Sequence, residues 1–361
     1  MSMRARLEDW IHEQWSHRGP VAIALSPLSV LFYAVSQIRR RRAAPRRLPV
    51  PVVVVGNIYV GGTGKTPVTI SLVESLVKAG FRPGIISRGY GRSGEKPRIV
   101  LPTSNAADVG DEPLLISMKT NVPVAVGRDR HAAGELLLAE HPEIDVILSD
   151  DGLQHFALER DVEIAVVGAR GLGNGWVLPA GPLREGPSRL DEVDAIVLNT
   201  TEESIVRSRT PRYVASSCFG TCTQLATGRT STIDALSEKI SEGHLQALAA
   251  AGIASPGRFF AMVKAHDIDC RTKPLGDHFD FDTDPFSGDP ADVILITAKD
   301  AVKCRTHPVL KNDPRLWVVG LEISLDPYLI DLLVRRINAA REAKAHPAAP
   351  APGITADGVP A

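Results

Sequence analysis

Residues 55–67, VGNIYVGGTGKTP, are the part of the sequence with the clearest chemical signature. Gly61, Gly62 and Gly64 allow backbone N–H groups to close around phosphate oxygens at places where a Cβ would collide. Lys65 can reach the β- and γ-phosphates of a nucleoside triphosphate, and the hydroxyl of Thr66 can ligate Mg²⁺. Tyr59 stands where the usual phosphate-loop pattern has its first glycine. The residues predicted to bind the nucleotide are Gly61, Gly62, Thr63, Gly64, Lys65 and Thr66.

Two pairs of adjacent carboxylates are the next candidates for chemistry. Asp150 and Asp151 follow an apolar run at 146–149, where a phosphate-loop protein carries the acid that organises Mg²⁺. Asp111 and Glu112 stand at the predicted start of a helix, where acids can also merely complement the helix dipole. Because four carboxylates beside a triphosphate need a cation between them, the pattern predicts bound Mg²⁺.

The segments around these residues alternate between strand and helix patterns. Val50–Val55 is a valine-rich run, typical of a parallel strand covered on both faces, and Thr66–Ala79 has the apolar spacing of a helix. Further strands are predicted at Gly84–Ser87, Val122–Val126, Val146–Ser149, Ile164–Val167 and Ala195–Leu198, and a helix at Arg130–Glu140. This order predicts an α/β fold in which helices flank a mostly parallel sheet that carries the phosphate loop.

A second, smaller α/β domain is predicted beyond residue 200. Its strands are predicted at Arg212–Ser217, Val293–Thr297 and Trp317–Leu321, and its helices at Leu245–Ala251, Pro256–Ala265 and Pro327–Ala340. The end of the chain is rich in alanine and proline, which predicts a disordered tail. The predicted organisation is an N-terminal segment at 1–47, a phosphate-loop domain at 48–200, the smaller domain at 201–340 and the tail at 341–361.

The N-terminal segment joins an uncharged stretch to a cluster of arginines. Val21–Ile38 holds 18 residues without a charge, the lower limit for crossing a bilayer, and Arg39–Arg42, Arg46 and Arg47 follow. This combination predicts a hairpin or helix that lies in a membrane interface, with its arginines on anionic headgroups. A buried core helix with a solvated end is the alternative. Because no aromatic residues interleave the arginines, a nucleic-acid site is disfavoured.

The composition is that of a globular protein with reduced cysteines. Of the 361 residues, 44% are hydrophobic and 23% are charged, which is enough for a sizeable core. The formal net charge of −1 gives no general attraction to nucleic acid. The four cysteines lack the paired spacing of a zinc site and indicate a cytosolic compartment.

Two classes of phosphate-loop switch are disfavoured because their diagnostic residues are missing. A GTPase carries an Asn-Lys-x-Asp motif that reads guanine, and the nearest candidate, Thr297–Asp300, has lysine and aspartate adjacent instead. A membrane-cycling ATPase of the partition type carries a lysine just before the paired glycines, where this sequence has Val60.

Seven segments occur in a fixed order along the chain: VGNIYVGGTGKTP (55–67), SRGYGR (87–92), VGDEPLL (109–115), DDGLQH (150–155), GNGWVLPAGPLRE (173–185), GDHF (276–279) and TAKDAVK (297–303). Together they resemble the tetraacyldisaccharide 4′-kinase family, the lipid A 4′-kinases of Gram-negative bacteria. Phe279 and Ala298 depart from this pattern, since many relatives have histidine and glutamate there. The resemblance implies transfer of the γ-phosphate of ATP to the 4′-hydroxyl of a tetraacylated glucosamine disaccharide 1-phosphate, which forms lipid IVA.

The resemblance also implies roles for individual residues. Asp111 is expected to take the proton of the acceptor hydroxyl, and His278 is expected to orient and tune Asp111. The other expected catalytic residues are Lys65, Asp150 and Asp151, and the expected Mg²⁺ ligands are Thr66 and Glu112. The residues expected to hold the lipid are Arg184, Arg128, Tyr90, Gln154 and His155. Surface ion pairs would equally explain the two arginines, and packing would explain the tyrosine.

The expected cofactors are therefore ATP and Mg²⁺, and the expected partner is an anionic acylated disaccharide on the cytoplasmic face of the bacterial inner membrane. No nucleic acid and no obligate protein partner are implied. Two alternatives share the same phosphate loop. One is a soluble small-molecule kinase, and the other is a membrane-associated ATPase switch that recruits protein partners and needs no acceptor base.

Overall fold

The structure, a computed structural model, describes residues 10–200, 202 and 206–346. The first part of the chain forms α1 (Pro20–Arg41), β1 (Val52–Gly56), α2 (Lys65–Lys78), β2 (Pro83–Ser87), β3 (Arg98–Val100), α3 (Ala106–Val109), α4 (Asp111–Thr120), β4 (Val124–Val126), α5 (Arg130–Glu140), β5 (Val146–Asp150), β6 (Val162–Gly168) and β7 (Ala195–Asn199). The second part forms β8 (Arg212–Gln224), β9 (Thr230–Ser231), α6 (Ile233–Glu242), β10 (Ala247–Ala251), α7 (Pro256–Lys264), β11 (Cys270–Pro274), β12 (Val293–Thr297), α8 (Ala298–Cys304), β13 (Leu316–Leu325) and α9 (Pro327–Ala345). Short 3₁₀ helices lie at Pro187–Asp191 and Leu310–Asn312.

The strands form one sheet in the order β11-β10-β12-β13-β8-β7-β6-β1-β5-β2-β4-β3, with β9 paired to β8. Most neighbours are parallel, and the antiparallel pairs are β3 with β4, β8 with β13 and β8 with β9. Helices pack on the sheet, and α2 buries Val68, Leu72 and Leu76 in the same core as β1. The predicted α/β fold with a mostly parallel sheet is confirmed.

The centre of the first half of the sheet is β1, whose valines are completely buried between β5 and β6. After β1 the chain builds β2 to β5 on one side of this strand and β6 to β8 on the other. In a parallel sheet, such a reversal opens a crevice at the carboxyl ends of the strands, which is where ligands bind. The predicted phosphate loop begins at this point.

The long strand β8 joins the two predicted units. Its start pairs in parallel with β7, from Arg212 to Val214, and its later residues pair antiparallel with β13, from Ala215 to Gln224. The prediction for this strand stopped at Ser217, because the alternating small and polar residues beyond it carry a weak strand signal. The two halves therefore share a continuous sheet.

One predicted helix is wrong. Leu245–Ala251 is rich in alanine and leucine, which favour helices, yet Ala247–Ala251 forms β10. This strand lies between β11 and β12, and all five of its residues are buried. Its pairing on both edges outweighs the helix propensity of a short alanine-rich segment. The final helix also differs, since it continues to Ala345 and enters the predicted tail, while residues 347–361 lie outside the described part.

The helix α1 lies on the loop at 173–185. The hydroxyl of Ser29 donates to the carbonyl of Val177 at 2.9 Å and accepts from the N–H of Ala180 at 2.9 Å. The opposite face is open, with Val30 70% and Leu31 62% exposed. Among the described residues, α1 is the one helix long and apolar enough to cross a membrane, and 11% of its apolar window is buried. The alternative of a buried core helix is therefore wrong.

Candidate active site

The predicted phosphate-binding residues form the loop between β1 and α2. Gly61 and Gly64 have φ angles of +104° and +80°, which residues with side chains rarely adopt. A Cβ on Gly64 would lie 1.9 Å from Nδ2 of Asn199, which donates to the carbonyl of Thr63 at 3.1 Å. Within the described residues no side chain caps the start of α2, so its first N–H groups remain available for phosphate oxygens.

Asn57 holds this loop in shape, a role that the sequence reasoning did not assign. Its buried Nδ2 donates to the carbonyl of Tyr59 at 2.7 Å and to the hydroxyl of Thr63 at 3.1 Å. Its Oδ1 accepts from Nζ of Lys65 at 3.2 Å. The asparagine stands inside the quoted VGNIYVGG segment, and that position was the available signal.

The loop departs from the usual phosphate-loop spacing at Tyr59. Its side chain is buried in the core beside β1 and does not replace a glycine at the phosphates. Its backbone pairs with Leu183, and the N–H of Val60 donates to the carbonyl of Pro182 at 2.8 Å. The first part of the loop is thus fixed against the segment at 173–185.

Asp150 and Asp151 lie where β5 ends, in the same cleft as the phosphate loop. The hydroxyl of Thr69 donates to Oδ1 of Asp150 at 3.1 Å. Nη1 of Arg184 lies 3.1 and 3.2 Å from the two carboxylate oxygens of Asp151, and Nζ of Lys65 lies 3.5 Å from Oδ1. The structure therefore brings Lys65, Arg184 and both aspartates together.

The two neighbouring aspartates have different electrostatic surroundings. Burial, together with the charges of Glu112 and Asp151, raises the pKa of Asp150 to about 7. Burial acts in the same direction on Asp151, but the charges of Lys65 and Arg184 outweigh it and lower the pKa of Asp151. Asp150 is therefore a buried carboxyl group whose surroundings hold too little positive charge to stabilise its ionised form.

Asp111 and His278 meet across the cleft. Asp111 is the first residue of α4, and it is 4% exposed. Its Oδ2 lies 2.9 Å from Nδ1 of His278 and 3.1 Å from Nζ of Lys303. Burial alone would raise the pKa of Asp111, but the hydrogen bond with His278 and the charges of Lys299 and Lys303 hold it below its ordinary range. Asp111 is thus a carboxylate at neutral pH.

The backbone of His278 is held in an unusual conformation, with a φ angle of +58°. The carboxylate of Asp277 accepts the N–H of His278 at 3.0 Å and stabilises this turn. Strained backbone persists where surrounding contacts impose it, often at functional sites. The conformation supports a functional rather than a packing role for His278.

Glu112, the second predicted Mg²⁺ ligand, is paired with a lysine that the sequence reasoning missed. Nζ of Lys299 lies 3.1 Å from Oε1 of Glu112, 3.5 Å from Oδ1 of Asp277 and 3.3 Å from Nε2 of His278. Lys299 and Lys303 belong to the quoted TAKDAVK segment, which was the signal for them. Among the described residues, no group of three or more His, Cys, Asp or Glu side chains is arranged to hold a metal ion.

Gln154 and His155 also face the cleft. Nε2 of Gln154 donates to the carbonyl of Asn57 at 3.0 Å and to Glu185 at 2.8 Å, and its Oε1 accepts from Arg184 at 3.3 Å. Burial and the nearby charge of Arg130 lower the pKa of His155 to about 4, so the ring is neutral at pH 7. Gln154 thus links the phosphate loop to Arg184.

The remaining two predicted substrate residues, Arg128 and Tyr90, lie at the rim of the cleft. Arg128 forms an exposed ion pair with Glu95 at 3.0 Å, which is worth little to stability. Tyr90 is 67% exposed, and its ring centroid lies 5.5 Å from that of His278. Tyr90 is therefore not a core residue, and it is available to a ligand beside His278.

Every residue that the sequence predicted for the site lines one cleft of about 3020 Å³ between the two halves of the sheet. Its wall also includes Phe32 and Val35 of α1. Eight arginines line the cleft, namely Arg39, Arg46, Arg88, Arg128, Arg130, Arg170, Arg184 and Arg258. The cleft thus joins an apolar helix, a cationic wall and a phosphate loop.

A phosphate loop at the switch point of a mostly parallel sheet, with aspartates at the end of a neighbouring strand, defines a P-loop nucleotide-binding protein. Comparison with known proteins narrows this class. The family model described as Tetraacyldisaccharide-1-P 4′-kinase matches residues 21–338, and the chain belongs to this family.

Relatives and a solved structure agree with this family. A tetraacyldisaccharide 4′-kinase of Janthinobacterium sp. (strain Marseille) is 48% identical over 342 residues, covering 93% of this chain and 97% of the relative. One from Dechloromonas aromatica (strain RCB) is 43% identical over 341 residues, covering 93% and 100%. A crystal structure of LpxK from Aquifex aeolicus in complex with ATP superposes with a TM-score of 0.72 at 27% identity, covering 88% of this chain and 99% of that one.

Proposed function

We propose that this protein catalyses the reaction for which its family is named. It transfers the γ-phosphate of ATP to the 4′-hydroxyl of a tetraacyldisaccharide 1-phosphate, which yields lipid IVA in lipid A biosynthesis. The observation that carries the proposal is the Asp111–His278 pair, which sets a buried carboxylate in the same cleft as the phosphate loop. An alcohol that attacks a phosphoryl group benefits from such a proton acceptor.

In this proposal, Oδ1 of Asp111 accepts the proton of the attacking hydroxyl. Oδ2 already contacts both His278 and Lys303, whereas Oδ1 accepts only the N–H of Glu112 at 3.0 Å among the hydrogen bonds of the described residues. A carboxylate oxygen has two lone-pair positions, so Oδ1 retains one for the substrate. The lowered pKa of Asp111 keeps this acceptor deprotonated at neutral pH.

The phosphate loop binds the triphosphate of ATP, and Lys65 stabilises the charge on the transferred phosphoryl group. In the structure, Lys65 contacts Asn57 and Asp151, so it is held at the mouth of the loop. Asp151 in turn fixes Arg184. Preorganised cations at the site of developing charge are the main catalytic resource in phosphoryl transfer.

The residues at the end of β5 fit a Mg²⁺ ion. Asp150 is buried among other carboxylates, and its raised pKa reflects a shortage of positive charge that a divalent cation would supply. Mg²⁺ prefers oxygen ligands and takes few of them from the protein when phosphates supply the others. Thr66, Asp150 and Glu112 offer such oxygens, and Oε1 of Glu112 also accepts from Nζ of Lys299 at 3.1 Å. When bound, the ion neutralises charge on the phosphates.

The cationic wall of the cleft binds the anionic head of the lipid substrate. Arg184 and Arg128, which were assigned to the substrate, lie on this wall with Gln154 and His155, and Tyr90 lies at its rim. Arginine holds phosphate oxygens through several N–H groups in a fixed plane, which suits the 1-phosphate of the disaccharide. Phe32 and Val35 extend the wall with apolar surface for acyl chains.

The exposed face of α1 docks the enzyme on the membrane that contains its substrate. Val30, Leu31 and Ile23 point away from the protein, and Arg39–Arg42 follow at the end of the helix. Apolar side chains beside arginines bind an anionic lipid surface. The proposed location is the cytoplasmic face of the inner membrane, where ATP is available, with no protein partner required and no nucleic acid bound.

Incubation with γ-labelled ATP, Mg²⁺ and the disaccharide 1-phosphate lipid in detergent tests the proposal. We expect label in a doubly phosphorylated lipid, and no label in a deacylated disaccharide at the same concentration. Label transferred equally well to the deacylated sugar would support a soluble small-molecule kinase. Release of labelled phosphate without any labelled lipid would support an ATPase switch and overturn the proposal.

A further inference from the structure

The helix α8 brings two lysines to the Asp111–His278 pair. Lys299 and Lys303 are four residues apart, so they leave the helix on the same face. Asp300 fixes the start of α8, because its buried carboxylate accepts the N–H of Gly252 at 3.1 Å and the hydroxyl of Thr297 at 2.6 Å. The two ammonium groups are thus placed by a rigid element.

Lys299 contacts three acceptors, and one of them is the outer nitrogen of the His278 ring. Its Nζ lies 3.3 Å from Nε2 of His278, with Glu112 and Asp277 as the other two partners. An ammonium group donates hydrogen bonds and cannot accept them. Nε2 of His278 must therefore accept, which leaves the ring proton on Nδ1, directed at Oδ2 of Asp111.

We propose that Lys299 is a positioning residue that keeps Nε2 of His278 unprotonated, so that a neutral ring donates through Nδ1 to the catalytic carboxylate. This inference rests on the proposed role of the Asp111–His278 pair. A proton on Nε2 would point directly at the Lys299 ammonium, and the ring would then form a full ion pair with Asp111. A more tightly paired carboxylate accepts a substrate proton less readily.

The groups around His278 support this assignment. The charged or titratable side chains that face it are Asp111 from α4, Asp277 and Tyr90 from the adjoining loops, and Lys299 from α8. The carboxylates of Glu112 and Asp277 lie 3.1 and 3.5 Å from Nζ of Lys299, and these contacts hold the ammonium group beside Nε2 of His278.

Lys303 acts on the other member of the pair. It contacts Oδ2 of Asp111 at 3.1 Å and donates to the carbonyl of Phe279 at 2.9 Å. It thereby holds the carboxylate and the turn that carries His278, but the contact at Nε2 belongs to Lys299. The two lysines of α8 have separate tasks.

The direct test measures the protonation state of the His278 ring in the full-length protein. ¹⁵N NMR of histidine-labelled samples at neutral pH reports this state, and the signal that is missing from His278→Gln identifies His278. We expect Nε2 to be unprotonated in the wild type and in Lys299→Arg, which keeps a cationic donor. In Lys299→Met we expect Nε2 to be protonated. An Nε2 state that is the same in wild type and Lys299→Met would overturn the proposal.

Kinetics provide a second, independent test. Lys299→Met should lower kcat by on the order of 100-fold near neutral pH, recover activity as pH rises, and change the KM for ATP little. In a His278→Ala background the same substitution should cost almost nothing more, because its target is gone. The result would show a merely structural lysine if the two losses of kcat multiply in the double variant. The same conclusion would follow if the acidic limb of the pH–rate profile is the same in Lys299→Met and the wild type.

The controls separate this inference from the proposed function. Lys311→Met removes an exposed lysine from the same half of the protein and should leave activity and the His278 signal unchanged. Full activity of His278→Ala would refute the proposed role of the pair, whereas the NMR measurement would still decide the Lys299 contact. Thermal melts of each variant identify any that fail to fold. If Lys299→Met is among them, the wild type decides, because a protonated Nε2 in the folded wild type at neutral pH would by itself overturn the proposal.

Discussion

Nδ1 of His278 and Oδ2 of Asp111 lie 2.9 Å apart, although 167 residues separate them in the chain. Asp111 comes from the half of the sheet that carries the phosphate loop, and His278 comes from the other half, in the turn that precedes β12. The proposed base, Asp111, is therefore paired with His278 only when the two halves face each other. This arrangement ties the proposed chemistry to closure of the cleft.

Replacing Asp111 by alanine should abolish lipid phosphorylation and leave ATP binding nearly intact. General-base catalysis contributes about 10²–10⁴-fold to a rate, and Asp111 has no assigned contact with the phosphate loop. Turnover of the lipid and equilibrium binding of an ATP analogue measure the two effects. Asp108→Ala, at a half-exposed aspartate three residues earlier, is the matched control. Full turnover by Asp111→Ala would exclude Asp111 as the base.

Gly64→Ala should destroy ATP binding, whereas Gly228→Ala should not. Both glycines have positive φ angles, so each substitution should cost about 1–2 kcal/mol of stability in strain. Only at Gly64 does the new Cβ also collide with Asn199, 1.9 Å away, while Gly228 has open space around it. Thermal midpoints measure the cost of backbone strain in both variants, and nucleotide affinity measures the additional cost of the collision at Gly64. Equal ATP affinity in both variants would argue against the assigned loop geometry.

Asp150→Asn should stabilise the nucleotide-free protein at alkaline pH. Because the pKa of Asp150 rises from 3.8 to about 7 on folding, the folded state holds a proton that the unfolded state releases between these values. The stability of the wild type therefore falls as pH rises through this window, and the asparagine variant avoids that loss. Thermal melts should show a higher midpoint for the variant at pH 8 and a shrinking difference towards pH 5.

The same variant should lose kinase activity, because an amide cannot neutralise a cation near the phosphates. Asp108→Asn, at a half-exposed site whose ion pair with Arg98 at 3.4 Å is worth little, is again the control and should change the midpoint and its pH dependence little. If the thermal midpoints of Asp150→Asn and the wild type differ by the same amount at pH 5 and at pH 8, the assigned titration of Asp150 would be contradicted.

Replacing Val30 and Leu31 together by aspartate should detach the protein from membranes without unfolding it. Both side chains are largely exposed on α1, so the fold loses little, while each loses about 1.5–3 kcal/mol of burial in lipid. Cosedimentation with vesicles that contain anionic lipid should fall at least about 100-fold. Val309→Asp, at an apolar position that is also exposed but lies in the other half, should bind vesicles normally. Unchanged sedimentation of the α1 variant would refute the docking role.

Local patterns in the sequence determined much of this fold. The valines of β1, the glycines after it and the apolar spacing of α2 each depend on neighbours within a few residues, so their strand, loop and helix were predictable. Arg130–Glu140 was predicted with the bounds that α5 has in the structure. The uncharged run Val21–Ile38 likewise predicted the region of α1, which spans Pro20–Arg41, because its apolar character is continuous in sequence.

Contacts between residues far apart in sequence decided the remaining parts of the fold and of the site. β10 is a strand because two other strands pair with its edges, against the helix propensity of its alanines. Asn199 and Lys299 acquire roles only from the groups that folding places beside them. Residue types and spacing along the chain thus determined which chemistry was available, whereas hydrogen bonds and charges between residues far apart in sequence decided how the groups are oriented. That orientation exists only after folding, because no local segment contains both partners of any of these contacts across the cleft.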